Sequence, residues 1–167
     1  MEFETAYEAI KDVPGWMGIE DCRVIYEYAS GLEGLIVEIG SYLGRTTKFL
    51  SLIAPQSKII TIDSFKMGCE RCFGRTVADC SNVELIKSRS QDVYWTRPID
   101  FLLVDGGHSY TQVKKDINKY LPFVKGVALF HDYTGYLDNQ VAYGVKLAVN
   151  EIKHPIEKEG GFAVYKK

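Results

Sequence analysis

The sequence predicts an α/β fold: a single-domain, Rossmann-like, doubly wound and mostly parallel sheet with helices on both faces. Three observations lead there. Five short apolar runs rich in β-branched residues are bounded by turn residues, segments with three- and four-residue apolar spacing separate them, and the first run ends in a glycine-broken turn. Parallel strands covered on both faces read as nearly continuous apolar stretches, and each crossover to a parallel neighbour needs a helix.

In chain order, MEFETAYEAIKDVPGW is acidic and broken by Pro14 and Gly15, and EDCRVIYEYAS (20–30) reads as a helix, so residues 1–33 form a helical cap ahead of the sheet. The strand runs are LIVEIG (35–40), KIITIDSF (58–65), VELIK (83–87), DFLLVDGG (100–107) and VALFHDY (127–133). Residues 66–82, which contain Cys69, Cys72 and Cys80, form an insert between the second and third strands. Tyr110, Val113, Ile117, Tyr120, Leu121 and Val124 recur with helical spacing, as do Val141, Val145, Ala148, Val149 and Ile152. FAVYKK (162–167) adds an edge strand. Open sheets of this kind bind ligands outside the carboxyl ends of their strands, which places the function at five strand ends.

Composition narrows the field. At 167 residues the chain is expected to form one domain, 1–167. A hydrophobic fraction of 46 %, a charged fraction of 25 % and a formal net charge of −2 describe an ordinary globular protein without the basic field that a nucleic acid needs. The acidic start lacks the charged-then-apolar order of a signal peptide, and no later apolar run is long enough for a bilayer, so a cytoplasmic protein without membrane contact is expected.

The glycine turn, GSYLGRT (40–46), is the first site signal. A dinucleotide turn wants glycine where Tyr42 stands, and a nucleoside-triphosphate loop wants lysine where Arg45 stands. A nucleoside ligand without phosphates remains. Asp63 ends the second strand about twenty residues beyond the turn, where a carboxylate in this architecture accepts ribose hydroxyls. Glu38 lies inside a strand that should be apolar and is costly to bury unless it meets a cation or several donors.

VEIGSYLGRTT, TIDSF, DFLLVDGGHSY, the DI..Y helix and VALFHDY, in this order and spacing, resemble the class I S-adenosylmethionine-dependent methyltransferases, specifically methyltransferase family 24. The likeness spans nearly the whole chain, including PGWMGIEDCRVIYEYA and GVKLAVNEI. It implies that Glu38, Gly40, Ser41, Tyr42 and Gly44 line the methionine end of S-adenosylmethionine, that Asp63 holds the ribose, and that Ser64 and Phe65 flank the adenine. Ser90, Gln91 and Asp92 are the candidates for the adenine edge, and Asp105 borders the cofactor.

Chemistry concentrates in DGGH and HD. Asp105, His108, His131 and Asp132 should converge above neighbouring strand ends. A hydroxyl acceptor needs its proton removed, by a histidine base or by a divalent cation that lowers its pKa. DGGH and HD also resemble the magnesium-dependent macrolide-sugar O-methyltransferases and cephalosporin hydroxylase, which implies His108 as base and Asp105 and Asp132 as metal ligands. His131 stands where those relatives have glutamate, so the set Asp105, His131 and Asp132 offers magnesium one hard oxygen fewer and suits manganese, iron or zinc better. Cys69, Cys72 and Cys80 have zinc-like spacing but no evident fourth ligand, and three ordinary thiols are the alternative.

DGGHSY stands where base and amide N-methylating relatives carry Asn/Asp-Pro-Pro-aromatic, so the expected acceptor is a hydroxyl on a small molecule or sugar. Acceptor specificity is expected from the first thirty or so residues, the cysteine insert and TGYLDNQV (134–141), with a homodimer partner as a further source. Two alternatives stay open: a metal-dependent oxygenase on this fold, and a non-catalytic S-adenosylmethionine-binding protein.

Overall fold

The structure, a computed structural model, describes residues 1–134 and 140–167, with the backbone alone for 140–142. Two helices, α1 (Phe3–Glu8) and α2 (Ile19–Ala29), precede β1 (Leu35–Ile39). There follow α3 (Arg45–Ile53), β2 (Lys58–Asp63), α4 (Glu70–Thr76), β3 (Val83–Lys87), β4 (Ile99–Val104), α5 (Tyr110–Tyr120), β5 (Val124–Phe130), α6 (Gln140–Val149), β6 (Ile156–Glu159) and β7 (Phe162–Lys166). One sheet in the order β3-β2-β1-β4-β5-β7-β6 contains all seven strands, the first five parallel. β7 runs antiparallel to both β5 and β6. The order reverses between β1 and β4, the position at which such sheets open a crevice.

Side chains alternate cleanly across β1. Leu35, Val37 and Ile39 pack with α5 and α6 through Val113, Ile117, Val145 and Val149. Ile36 packs on the opposite face with α1, α2 and α3 through Phe3, Ile25, Phe49 and Leu50. Period-two geometry therefore aims Glu38 at the α3 face. Burying each large apolar side chain contributes about 1.5–3 kcal/mol, so truncating a fully buried one such as Leu50 to alanine should cost about 2–5 kcal/mol.

The five predicted parallel strands and the strand at 162–167 are present, with boundaries shifted by a few residues, but the last is not an edge strand: β7 lies between β5 and β6, and the short β6 takes the edge. The helical spacing extends to Val124, whereas α5 ends at Tyr120. Pro122 sits in a 3₁₀ turn at Leu121–Phe123 that ends the helix, and Val124 already belongs to β5. β3 is an edge strand and only half-buried. α1 falls within the expected helical cap, whereas α4 and β6 were not expected: each is short, and neither has a long enough apolar period to announce itself. No described helix is long and apolar enough to cross a membrane.

Candidate active site

A cavity of about 580 Å³ lies at the carboxyl ends of the parallel strands, within the usual size range of cofactor and small-molecule sites. Tyr42 (φ 47°), Phe65 (φ 49°) and Asp132 (φ 60°) are the non-glycine residues with left-handed backbone among the described residues, and all three line it. They follow β1, β2 and β5. Such conformations cost about 1–3 kcal/mol each and persist where surrounding structure fixes them, often at functional sites.

The glycine turn shapes one half. Gly40 has φ 95°, and a Cβ there would collide with the backbone of Asp105 and Gly106, so the turn is glycine because the end of β4 presses against it. Gly44 has φ 87° and lies 3.1 Å, measured from an added Cβ, from the Phe73 ring of α4. Asp63 braces the turn: its Oδ2 accepts the amides of Ser41 (2.9 Å) and Tyr42 (3.0 Å), and its Oδ1 accepts the amide of Phe65 (2.6 Å). Asp63 is half-buried on the cavity wall beside Ser64 and Phe65, and a carboxylate has about four acceptor sites, so one stays free for a ligand.

Glu38 is placed differently from the expectation that it lines the cavity. It is fully buried beneath the turn, where its Oε2 accepts the hydroxyls of Thr47 and Thr61, each at 2.5 Å. Its Oε1 is buried without a hydrogen-bond partner, and burial pushes the carboxyl up to about 7. Ser90 and Gln91 border the cavity, but their side chains turn to α5: Ser90 Oγ donates to Asp116 Oδ1 at 2.6 Å and Gln91 Nε2 to the same oxygen at 2.9 Å. Asp92 is exposed and off the cavity wall. Two of the three side chains predicted at the adenine edge are thus engaged elsewhere, and the third is off the cavity wall.

The other half joins Asp105 and His108 after β4 to His131 and Asp132 after β5. His108 Nε2 lies 2.9 Å from Asp132 Oδ2 and 3.9 Å from Asp105 Oδ1. His131 Nδ1 lies 3.1 Å from Asp105 Oδ1 and 3.6 Å from Asp132 Oδ2, while its Nε2 faces Asp21 Oδ2 of α2 at 3.5 Å. Hydrogen bonding to Asp105 and Asp132 raises His108 to about 9. Burial opposes a charge on His131, yet hydrogen bonds to Asp105, Asp132 and Asp21 outweigh it and raise the group to about 12. Hydrogen bonds from both histidines hold Asp132 far below the usual carboxylate range. Both imidazoles therefore carry protons at neutral pH.

The donor set bears directly on a metal. Ligand atoms of Asp105, His131 and Asp132 lie within 4.8 Å of one another, close enough in distance alone. Both nitrogens of His131 face carboxylates, so an ion bound there would take the place of an imidazole proton. Magnesium wants oxygen ligands in near-octahedral array, and this set offers two carboxylates and one imidazole nitrogen, which suits a softer divalent ion better. Cys69, Cys72 and Cys80 do not converge either: among the described residues the Asp105, His131, Asp132 group is the one that does. Cys69 is buried, Cys72 exposed and Cys80 intermediate, and burial raises the thiols of Cys69 and Cys80, so three ordinary thiols describe the insert.

Sequence reasoning missed Asp21, Trp16 and Arg45. Asp21 reads as a helix-capping acid, and it does accept the Gly18 amide at 3.1 Å, so nothing local announced its reach to His131. Residues 135–139 of the expected acceptor loop lie outside the described residues.

Known proteins share this fold. A methyltransferase-domain family model, that of methyltransferase family 24, matches residues 37–133. A candidate caffeoyl-CoA O-methyltransferase from Staphylococcus aureus superposes with a TM-score of 0.74 at 15 % identity, over 100 % of this chain and 92 % of that one. The O-methyltransferase NovP gives 0.73 at 17 %, over 99 % and 88 %. A candidate rRNA methylase from Clostridium thermocellum gives 0.70 at 13 %, over 87 % and 92 %. At such identities the superpositions show the fold alone, and the acceptors named for these proteins differ. The family match spans the glycine turn, Asp63 and the whole Asp105–Asp132 cluster, and on it the chain belongs to methyltransferase family 24, a branch of the class I S-adenosylmethionine-dependent methyltransferases.

Proposed function

We propose that residues 1–167 act as one S-adenosylmethionine-dependent O-methyltransferase domain, with a hydroxyl of a small molecule or sugar as acceptor. The observation that carries this reading is one cavity bordered both by Asp63 with its glycine turn and by the His108–Asp132 pair. S-adenosylmethionine, when bound, supplies an electrophilic methyl on a sulfonium. Asp63 offers its remaining acceptor site to a ribose hydroxyl, and Gly40, Ser41, Tyr42 and Gly44 shape the adjoining wall. The backbone of Ser88–Gln91 faces the adenine side.

His108 is the candidate base. At neutral pH its Nε2–H donates to Asp132 Oδ2, and that proton must be lost to solvent before the ring can accept the acceptor's hydroxyl proton. Asp105 and Asp132 orient both imidazoles, and His131 holds the two carboxylates in place without a metal step. The oxygenase alternative would need a redox metal at Asp105, His131 and Asp132.

The testing experiment is calorimetric titration with S-adenosylhomocysteine, followed by a screen of hydroxyl acceptors with and without divalent ions. Saturable binding and ion-independent methylation of a hydroxyl support the reading. A folded protein that does not bind S-adenosylhomocysteine removes it.

A further inference from the structure

Trp16 is a large aromatic residue with 73 % of its surface exposed, yet it lines the cavity. It is not a loose side chain. Gly15 beside it has no side chain, which lets the segment lie on the Arg45 stem; a Cβ there would sit 3.3 Å from Arg45 Cδ. The Arg45 guanidinium reaches back to the Val13 carbonyl (3.4 Å) and the Tyr7 hydroxyl (3.3 Å). Met17, on the other side, is buried in the core. Asp21 then ties the start of α2 to His131. Trp16 is fixed between two anchors and left uncovered.

Its partner is equally unusual. Trp16 stacks on Tyr42 with centroids 4.6 Å apart and planes 32° from parallel, and Tyr42 holds that position with φ 47°. Glycine is the residue for such a backbone; an aromatic one is kept where its ring has work. A rigid aromatic pair at a cavity mouth is a platform for a flat apolar ring. One of the segment's anchors, Asp21, reaches His131 of the histidine–aspartate cluster.

Resting on the methyltransferase reading, we infer that Trp16, seated on Tyr42, is the acceptor platform, and that the acceptor is a ring with a flat apolar face and a hydroxyl on its edge. A phenol and a pyranose share that chemistry. The face packs on the indole while the edge hydroxyl points to His108.

The test uses the full chain saturated with S-adenosylhomocysteine, with catechol and methyl α-glucopyranoside as probes. Trp16→Ala identifies the Trp16 component of the emission, since the other tryptophan, Trp95, is buried. Saturable quenching of that component by one probe is expected, and which probe succeeds separates the aromatic from the sugar source. By calorimetry, Trp16→Ala should weaken that probe about tenfold and Trp16→Phe by less, with S-adenosylhomocysteine affinity kept within about twofold in both. Equal probe affinity in wild type and Trp16→Ala overturns the inference, as does saturation by neither probe. A fall in S-adenosylhomocysteine affinity in Trp16→Ala reassigns the platform to the cofactor and also overturns it. Failure of wild type to bind S-adenosylhomocysteine is a different result, which sinks the methyltransferase reading itself.

Discussion

The two halves of the cavity treat carboxylates in opposite ways. Beside the glycine turn, Asp63 faces three backbone amides and Glu38 faces two hydroxyls. Beyond β4 and β5, Asp105 and Asp132 face two imidazoles. Neutral donors fix an acceptor's position without offering it a titrating proton, whereas imidazoles share protons that can move. The first half is suited to holding a ligand and the second to changing one.

His108→Gln should break this division most sharply. Removing a positioned base lowers the methylation rate by about 10²–10⁴-fold, with S-adenosylhomocysteine affinity unchanged by calorimetry. A large loss of affinity would show that the halves are not separate. Asp63→Asn is the converse experiment: one oxygen becomes an NH₂ group that no longer accepts an amide, weakening S-adenosylhomocysteine by about 1.5–3 kcal/mol, or about 12- to 140-fold. Its pH profile should stay that of wild type.

The profile itself is a third test. His108 acts as a base only when deprotonated, and its carboxylate partners raise it to about 9. The rate should therefore climb about tenfold per pH unit from neutrality and level off near that value, and His108→Gln should flatten this limb. A rate already at its plateau at pH 7 assigns the proton to another group.

Glu38→Gln gives the smallest effect. A carboxyl raised to about 7 is protonated in the folded protein below that value and charged above it, so burial costs stability increasingly as pH rises from the unfolded carboxyl range to about 7. The amide removes that cost: a melting temperature higher by about 2–4 °C at pH 8 and unchanged at pH 5 is expected. A drop at both would mean that the Thr47 and Thr61 hydrogen bonds, or the space around Oε1, require the carboxyl group itself.

Much of this was legible in the sequence. The parallel strands announce themselves through apolar β-branched runs, and the strand ends carry the cluster because side chains following parallel strands converge in space. Asp63 was found by its place at the end of β2, but its duty to the Ser41 and Tyr42 amides was not, since only three-dimensional register shows where a carboxylate's lone pairs point. Glu38 was identified as costly and wrongly aimed at the cavity; the period of two sends it toward Thr47 on α3. Ser90 and Gln91 were found in place but turned away, because Asp116 comes from a helix with no sequence cue linking it to that turn. Trp16 lies in the connection between α1 and α2, where spacing has nothing to say, and Asp21 lies in a predicted helix whose period does not show which distant residue its first turn meets.

One contact has a consequence for how the protein comes into being. His131 is met by Asp21 from the first part of the chain, while Gly161, at the β6–β7 turn, is so close that an added Cβ would lie 3.6 Å from its Nε2. The Gly161 carbonyl also accepts the Tyr133 amide at 3.0 Å, and the Gly160 carbonyl the Thr134 hydroxyl at 2.8 Å. Residues far apart in synthesis order thus close around a single imidazole. A nascent chain halted before residue 160 has translated every residue of the proton-handling cluster yet cannot assemble its surroundings, so activity should appear late and all at once during translation, and clipping the terminal hairpin should silence a site whose own residues are intact.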